Sequence, residues 1–366
     1  MEYVTVEQKQ IPVTADVDVF VAGGGCAGVG AAIGAARGGA RVFLAERLFC
    51  LGGMMTAGLM SKIAIAPQNL GLATEMIERV DAYQGTQYLK SRPEVPIDPE
   101  ATKIVLDQMV IGECGVDVRF GTIVSGVAKE GRTIKAVIIS SINGEQAVKA
   151  KYFVDCTGDG QMGFLAGAEC MMEGGENYSS SPTLMFRIGN CNLDRMFDYM
   201  NANPELFVPV YTTYQRHLMA PDTCRENIKN QIYAHMADFV KLIELRCKEN
   251  PGMFSKEEYD VLLRRGILFL NQPAPNHVLV NSTTITKFRG DSSSELSRAV
   301  VDTRKQCHVI FRFAKAFIPG FENSNLMDTA SILGIRESRR IKGDYVFTQE
   351  DVESLRRFDD AVCSNH

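Results

Sequence analysis

The chain has 366 residues, 45% of them hydrophobic and 23% charged, enough for one large or two medium domains with real cores. A net charge of −5 advertises no basic face for nucleic acid or an anionic membrane, and no apolar run is long enough to span a bilayer. The 10 cysteines form no C-x-x-C and no Cys/His cluster, and the N-terminus MEYVTVEQKQIPV lacks the pattern of a secretory signal, so the expectation is a cytoplasmic protein with free thiols and no zinc.

Residues 1–15 read as a lead-in with an edge strand at Tyr3–Val6. The stretch Asp16–Arg47, DVDVFVAGGGCAGVGAAIGAARGGARVFLAER, then reads as strand, glycine turn, helix, strand and acid. Val17, Val19 and Val21 alternate as a buried strand does. Gly23, Gly25 and Gly28 stand at G-x-G-x-x-G spacing: the first permits a tight turn, the second lets a pyrophosphate approach the backbone, and the third lets the helix pack close to the sheet. The helix ends at Arg37-Gly38-Gly39, where glycine supplies a left-handed cap. Glu46 ends the second strand, where a carboxylate can accept both ribose hydroxyls of an adenosine. The N-terminus of the helix offers free N–H groups and a positive dipole end to phosphates. Together these make a dinucleotide cradle. The acid disfavours a 2′-phosphorylated nucleotide by charge repulsion but does not separate NAD from FAD.

Arg47 is followed by LFCLGGMMTAGLM, in which Gly52-Gly53 and Gly58 leave backbone uncovered. That suits a long cofactor lying across the chain; a helix start with a core methionine stripe fits equally. Leu72–Tyr83 reads as a helix. A proline-rich connection from Ser91 leads to Asp98-Pro99, a helix cap with proline in the first turn, and the helix runs to about Cys114. Val116–Phe120 is the natural third parallel strand. Thr122–Ala128, Thr133–Ser140 and Ala147–Val154 follow as a meander, with turns at Glu130-Gly131 and Asn143-Gly144. The meander returns into Asp155-Cys156-Thr157-Gly158-Asp159-Gly160, a small turn with two carboxylates that can rejoin the first strand.

From Gly174 the character changes. Pro182–Gly189 reads as a strand, Asp194–Met200 and Pro221–Lys248 as helices, and Ser255–Arg264 as a helix opened by a capping box of Ser255 with Glu258. Gly266–Leu270 and His277–Ile285 read as strands joined by NQPAPN. Ser292–Phe317 is a long helix stopped by Pro319-Gly320. Arg336, Arg339 and Arg340 form the densest basic run. If helical, the three share a face; if extended, Arg336, Ser338 and Arg340 do. A guanidinium pair there can clamp a carboxylate, while an ion-pair network with Glu337 and Asp344 explains the run equally well. The five histidines share no ligand spacing and read as surface or core residues rather than bases, His277 being the nearest to an exception.

The motifs GGGCAG, ER followed by LGGMMT, VDCTGDG, SPTLMFRIGN and GIRESRRIKGDYVFT, in that order from about Val17 to Val352, resemble the FAD-dependent oxidoreductases related to the glutathione-reductase-type flavoproteins. The resemblance implies an α/β fold: a Rossmann-like FAD-binding domain at 1–173 with a β-meander insertion, an α+β substrate domain at 174–325, and a return segment at 326–366. It implies that Gly23, Gly25, Cys26, Ala27 and Gly28 surround the diphosphate of FAD, that Glu46 holds the adenosine ribose and that Arg47 lies beside the adenine. It also implies that Gly53, Met54 and Thr56 pass near the ribityl–flavin portion, that Val124 offers backbone to the adenine, and that Thr157, Gly158 and Asp159 close over the diphosphate. Cys26 replaces the small residue that relatives often carry. Arg336 and Arg339 fall at the cofactor–substrate junction and are the catalytic candidates.

Members of that family continue with a last strand and a glycine-containing helix beneath the ring, so the resemblance implies an incomplete flavin domain: a fragment, a partner chain or second copy supplying the rest, or an element dispensed with. No second G-x-G-x-x-G unit is present, so the expected reaction moves a hydride between a small organic substrate and flavin, with a separate electron acceptor. The rival readings are a partner-dependent, non-catalytic subunit and an NAD-dependent dehydrogenase.

Overall fold

The glycine crossover forms as β1 (Val13–Ala22), α1 (Cys26–Arg37) and β2 (Val42–Ala45) in the computed structural model. The structure describes residues 4, 10–64, 71–85, 94–171, 181–207, 225, 239–271 and 276–359. Most of the edge strand expected at Tyr3–Val6, the boundary at Gly174, most of the helix Pro221–Lys248, the start of the connection at Ser91, most of NQPAPN, and His217, His235 and His366 lie outside these residues.

A short antiparallel pair, β3 (Lys62–Ala64) with β4 (Glu94–Pro96), flanks α2 (Leu72–Gln84). The side chain of Asp98 accepts from the Glu100 and Ala101 N–H groups at 2.9 Å each and opens α3 (Pro99–Asp107), which continues as a π-helical turn to Glu113. Then come β5 (Asp117–Arg119), β6 (Ile123–Glu130), β7 (Thr133–Ser141) and β8 (Gly144–Asp155). These build a six-stranded sheet in the order β5-β2-β1-β8-β7-β6. Its first four strands are parallel, and β6, β7 and β8 pair antiparallel. The long β8 therefore serves both parts.

Both faces of β1 are covered, which is why Phe20 and Val21, pointing opposite ways, are equally buried. On one face Val21 and Leu44 pack with Val29 and Ile33 of α1 and with Ile77 and Val105 of α2 and α3. On the other, Phe20 stacks on Phe43 with ring centroids 5.9 Å apart, among Val124, Val137, Val148 and Met162. Each such side chain contributes roughly 1.5–3 kcal/mol.

After α4 (Gln161–Leu165) and β9 (Cys170–Met171), a second core forms around an antiparallel sheet. It contains β10 (Phe186–Gly189), β11 (Phe269–Asn271), β12 (Val278–Val280) and β13 (Asn325–Thr329) in the order β11-β12-β10-β13. The helix Ser293–Phe317, capped by Ser292, buries Cys307, Ile310 and Phe313 in that core. The capping box of Ser255 and Glu258 forms at the start of the helix Lys256–Arg265. The last strand of the sheet ends at Thr329. The chain then returns to the first unit. Ser331 N–H donates to Ala57 O at 2.9 Å, Thr183 pairs with Gly334, and β14 (Arg340–Ile341) pairs with β9.

Candidate functional site

At the carboxyl ends of β1 and β2 the first unit opens into a groove of about 560 Å³. Its floor is the glycine turn. Gly23 has φ +92°, and a Cβ there would sit 2.6 Å from the Cys156 carbonyl oxygen. Gly28 lies under the turn, where a Cβ would be 1.8 Å from Gly23 O, so no side chain fits between helix and strand. Gly25 differs. A Cβ there would meet no protein atom within 4 Å, so the fold itself does not demand glycine; the space in front of it belongs to the groove. Gly25 is also the N-cap of α1, and that helix end has neither a side-chain cap nor an acid in its first turn. Its free N–H groups and positive dipole end are thus left for an anion.

Glu46 lines the groove while only 5% exposed. Its Oε2 accepts from Gly24 N–H at 2.5 Å and its Oε1 from Leu48 N–H at 2.7 Å. The carboxylate therefore braces the glycine turn as well as facing the groove. With about four lone-pair sites on an ionised carboxylate, it keeps acceptor capacity for two hydroxyls. Across the groove, Asp155 ties the DCTGDG turn together. Its Oδ1 accepts from Thr157 N–H (3.1 Å) and Thr157 Oγ1 (2.7 Å), and its Oδ2 accepts from Gly163 N–H (2.9 Å). Ser338 Oγ donates to Asp159 Oδ1 at 2.8 Å, which joins the return segment to this turn.

Of the expected cofactor residues, Gly23, Gly25, Cys26, Ala27, Glu46, Arg47, Gly53, Met54, Val124, Thr157, Gly158 and Asp159 line the groove. Two do not. Gly28 acts one layer below, by close packing. Thr56 is fully buried, and its hydroxyl donates to Leu51 O at 2.5 Å, so it holds the Gly52-Gly53 turn in place from behind. The side chains that sequence reasoning missed include Ile332, Leu333 and Ile335, an apolar part of the groove wall. The apolar run before the basic cluster, ILGI, was the available signal.

The basic run is not helical. Arg339 lies 4.3 Å from the Phe164 ring centroid and donates to Gln161 Oε1 at 2.6 Å, both on α4. Arg340 pairs with Glu337 at 3.1 Å. Arg336 is exposed. His277 lies beside Gly189 on the second sheet, outside the groove, and burial pushes its pKa down, with Arg187 adding to the shift. The Cys26 thiol in the groove is pushed up by burial, as is that of Cys156. Among the described residues no cluster of His, Cys, Asp or Glu could hold a metal ion.

The family model described as FAD dependent oxidoreductase matches residues 18–366. The chain belongs to that family. FAD is the cofactor of the family, and the groove fits it: an uncapped helix end, an unfilled glycine position, an acid with spare acceptor sites and an apolar part of the wall. No curated protein matches this FAD dependent oxidoreductase. Among solved structures, L-amino acid deaminase from Proteus vulgaris is 12% identical, with 90% of this chain and 85% of that one covered at a TM-score of 0.49. A geranylgeranyl bacteriochlorophyll reductase-like protein from Thermoplasma acidophilum is 14% identical, with 87% and 66% covered at 0.47. A myxobacterial chondrochloren halogenase is 14% identical, with 88% and 64% covered at 0.46. The chain thus spans just under two thirds of the length of these last two structures. Among the described residues no helix is long and apolar enough to cross a membrane.

Proposed function

We propose that the protein binds FAD along this groove and oxidises or reduces a small organic substrate by hydride transfer, passing electrons to a separate acceptor. The observation that carries this reading is the pairing of the uncapped α1 terminus at Gly25 with the buried Glu46 in one continuous groove. The helix end neutralises the diphosphate, Glu46 accepts from the ribose hydroxyls, and Arg47 borders the adenine end. Met54, Ile332, Leu333 and Ile335 exclude water from one face of the flat ring. When bound, FAD supplies the two-electron chemistry. The protein supplies orientation, a dry wall and fixed charge.

The substrate side is the space between Met54 and the second sheet. The bridge between Thr183 and Gly334 lies there, with a Cβ on Gly334 falling 3.0 Å from Met54 Cε. The test is anaerobic titration of the FAD-loaded protein with a panel of small alcohols, amines and hydroxy or amino acids, followed by bleaching of the flavin band. Bleaching by one class, and recovery of colour on adding an artificial electron acceptor, is the expected result. Bleaching that requires NADH, with no response to any organic donor, would contradict the proposed direction and acceptor.

A further inference from the structure

Two arginines flank the Thr183–Gly334 bridge, and among the described residues neither is in an ion pair. Arg265 ends the helix Lys256–Arg265, and its Nη1 donates to Thr183 Oγ1 at 3.5 Å. Arg336 follows Gly334 by two residues. Both side chains are exposed to solvent. The pKa of Arg265 is lowered by partial burial and by the positive charge of Arg336. The other arginines of this wall have contacts of their own. Arg187 pairs with Asp328, Arg289 with Asp291, Arg340 with Glu337, and Arg339 lies over Phe164. Among the described residues Arg265 and Arg336 make no ion pair.

Two like charges side by side repel, and the cheapest relief is an anion between them. A guanidinium fork matches the two oxygens of a carboxylate in one plane. The bridge the arginines flank lies against Met54, which lines the groove. An anion seated there lies beside Met54, at the edge of the substrate space proposed above.

We propose that Arg265 and Arg336, rather than Arg336 and Arg339, form the anion-binding end of the substrate site, and that the substrate carries a carboxylate. This placement rests on the flavoprotein reading above, but the pair can be tested without it. The experiment is calorimetric titration of the purified full chain, with and without added FAD, using acetate and benzoate against their uncharged amides. The expected result is saturable binding of the carboxylates and none of the amides, weakening as salt is raised. Arg265→Met and Arg336→Met should each weaken carboxylate binding about tenfold, and the double variant should abolish it. Arg265→Lys should recover part of the loss, since it keeps charge without the fork. FAD affinity and the unfolding midpoint should stay unchanged throughout. Carboxylates that bind no better than amides, or that bind the double variant as well as the parent, overturn the proposal. Carboxylate binding through these arginines in a chain that takes up no FAD would keep the clamp and sink the flavoprotein reading; FAD uptake without carboxylate binding would do the reverse.

Discussion

The groove has two walls, and they are made in different ways. The wall formed by Gly23–Gly28, Glu46 and Thr157–Asp159 is a matter of backbone: left-handed glycine, helix dipole and amide-to-carboxylate bonds within one crossover and the strand that returns to it. The wall formed by Met54, Ile332, Leu333 and Ile335, with Arg265 and Arg336 beyond it, is assembled from side chains of segments far apart in the chain. The first has almost no tolerance, because any Cβ at Gly23 or Gly28 meets main chain. The second can change side chains while its backbone stays put. A cofactor common to many proteins suits the first kind of wall, and a substrate peculiar to one suits the second.

The sharpest break in that contrast is Gly28→Ala. A methyl 1.8 Å from the Gly23 carbonyl forces the helix off the sheet, at a cost of about 3 kcal/mol or more. Urea unfolding should show that loss, and FAD uptake should vanish with it; a variant that unfolds with the parent would contradict the close approach. The second sheet offers a milder change. Arg187 Nε donates to Asp328 Oδ1 at 2.9 Å, with the two side chains 15% and 37% exposed. Asp328→Asn should cost about 2 kcal/mol, less than a fully buried pair because Asp328 reaches water. FAD affinity should be unchanged, since the pair lies outside the groove.

Alkaline pH separates the two regions most gently. Burial pushes the thiols of Cys191 and Cys307, both in the second core, up to about 12 from about 9. Groups whose pKa is raised on folding give stability that is complete below the unfolded value. It is lost as pH rises from about 9 towards 12, because only the unfolded chain can ionise them. Hydrogen exchange at rising pH, corrected for the intrinsic rate, should therefore loosen the helix Ser293–Phe317 before β1 and α1. Simultaneous loss in both regions would remove the distinction.

The same contrast explains what could be read from the sequence. Asp16–Arg47 carries its geometry locally: alternating valines, glycines at fixed spacing and an acid at the strand end. The meander was legible from Gly131 and Asn143-Gly144, and the caps from Asp98 and Ser255, because hairpin turns and helix caps are settled by neighbours in the chain. β13 was not legible, since Asn325–Thr329 places Asn and Asp in a strand and owes its conformation to pairing with β10. The proposed pairing of Arg265 with Arg336 was hidden for the same reason: only the Thr183–Gly334 bridge relates the two segments. The conformation of the basic run was left open between helix and extended chain, and it is not helical. Thr56 sits next to groove residues in sequence, but its side chain points inward to Leu51.

The central claim is that the space before Gly25 belongs to the diphosphate of FAD. It is tested most directly by equilibrium titration of FAD, with NAD as the control, against the parent chain and Gly25→Ser. Serine is a good N-cap residue, and Gly25 already has an extended backbone, so the variant should unfold within about 1 kcal/mol of the parent. Its side chain would occupy the groove and compete for the helix N–H groups. The account predicts saturable FAD binding by the parent with a perturbed flavin spectrum, no comparable effect of NAD, and at least about tenfold weaker FAD binding by Gly25→Ser. Equal FAD binding by the two proteins, or stronger stabilisation by NAD than by FAD, would contradict it.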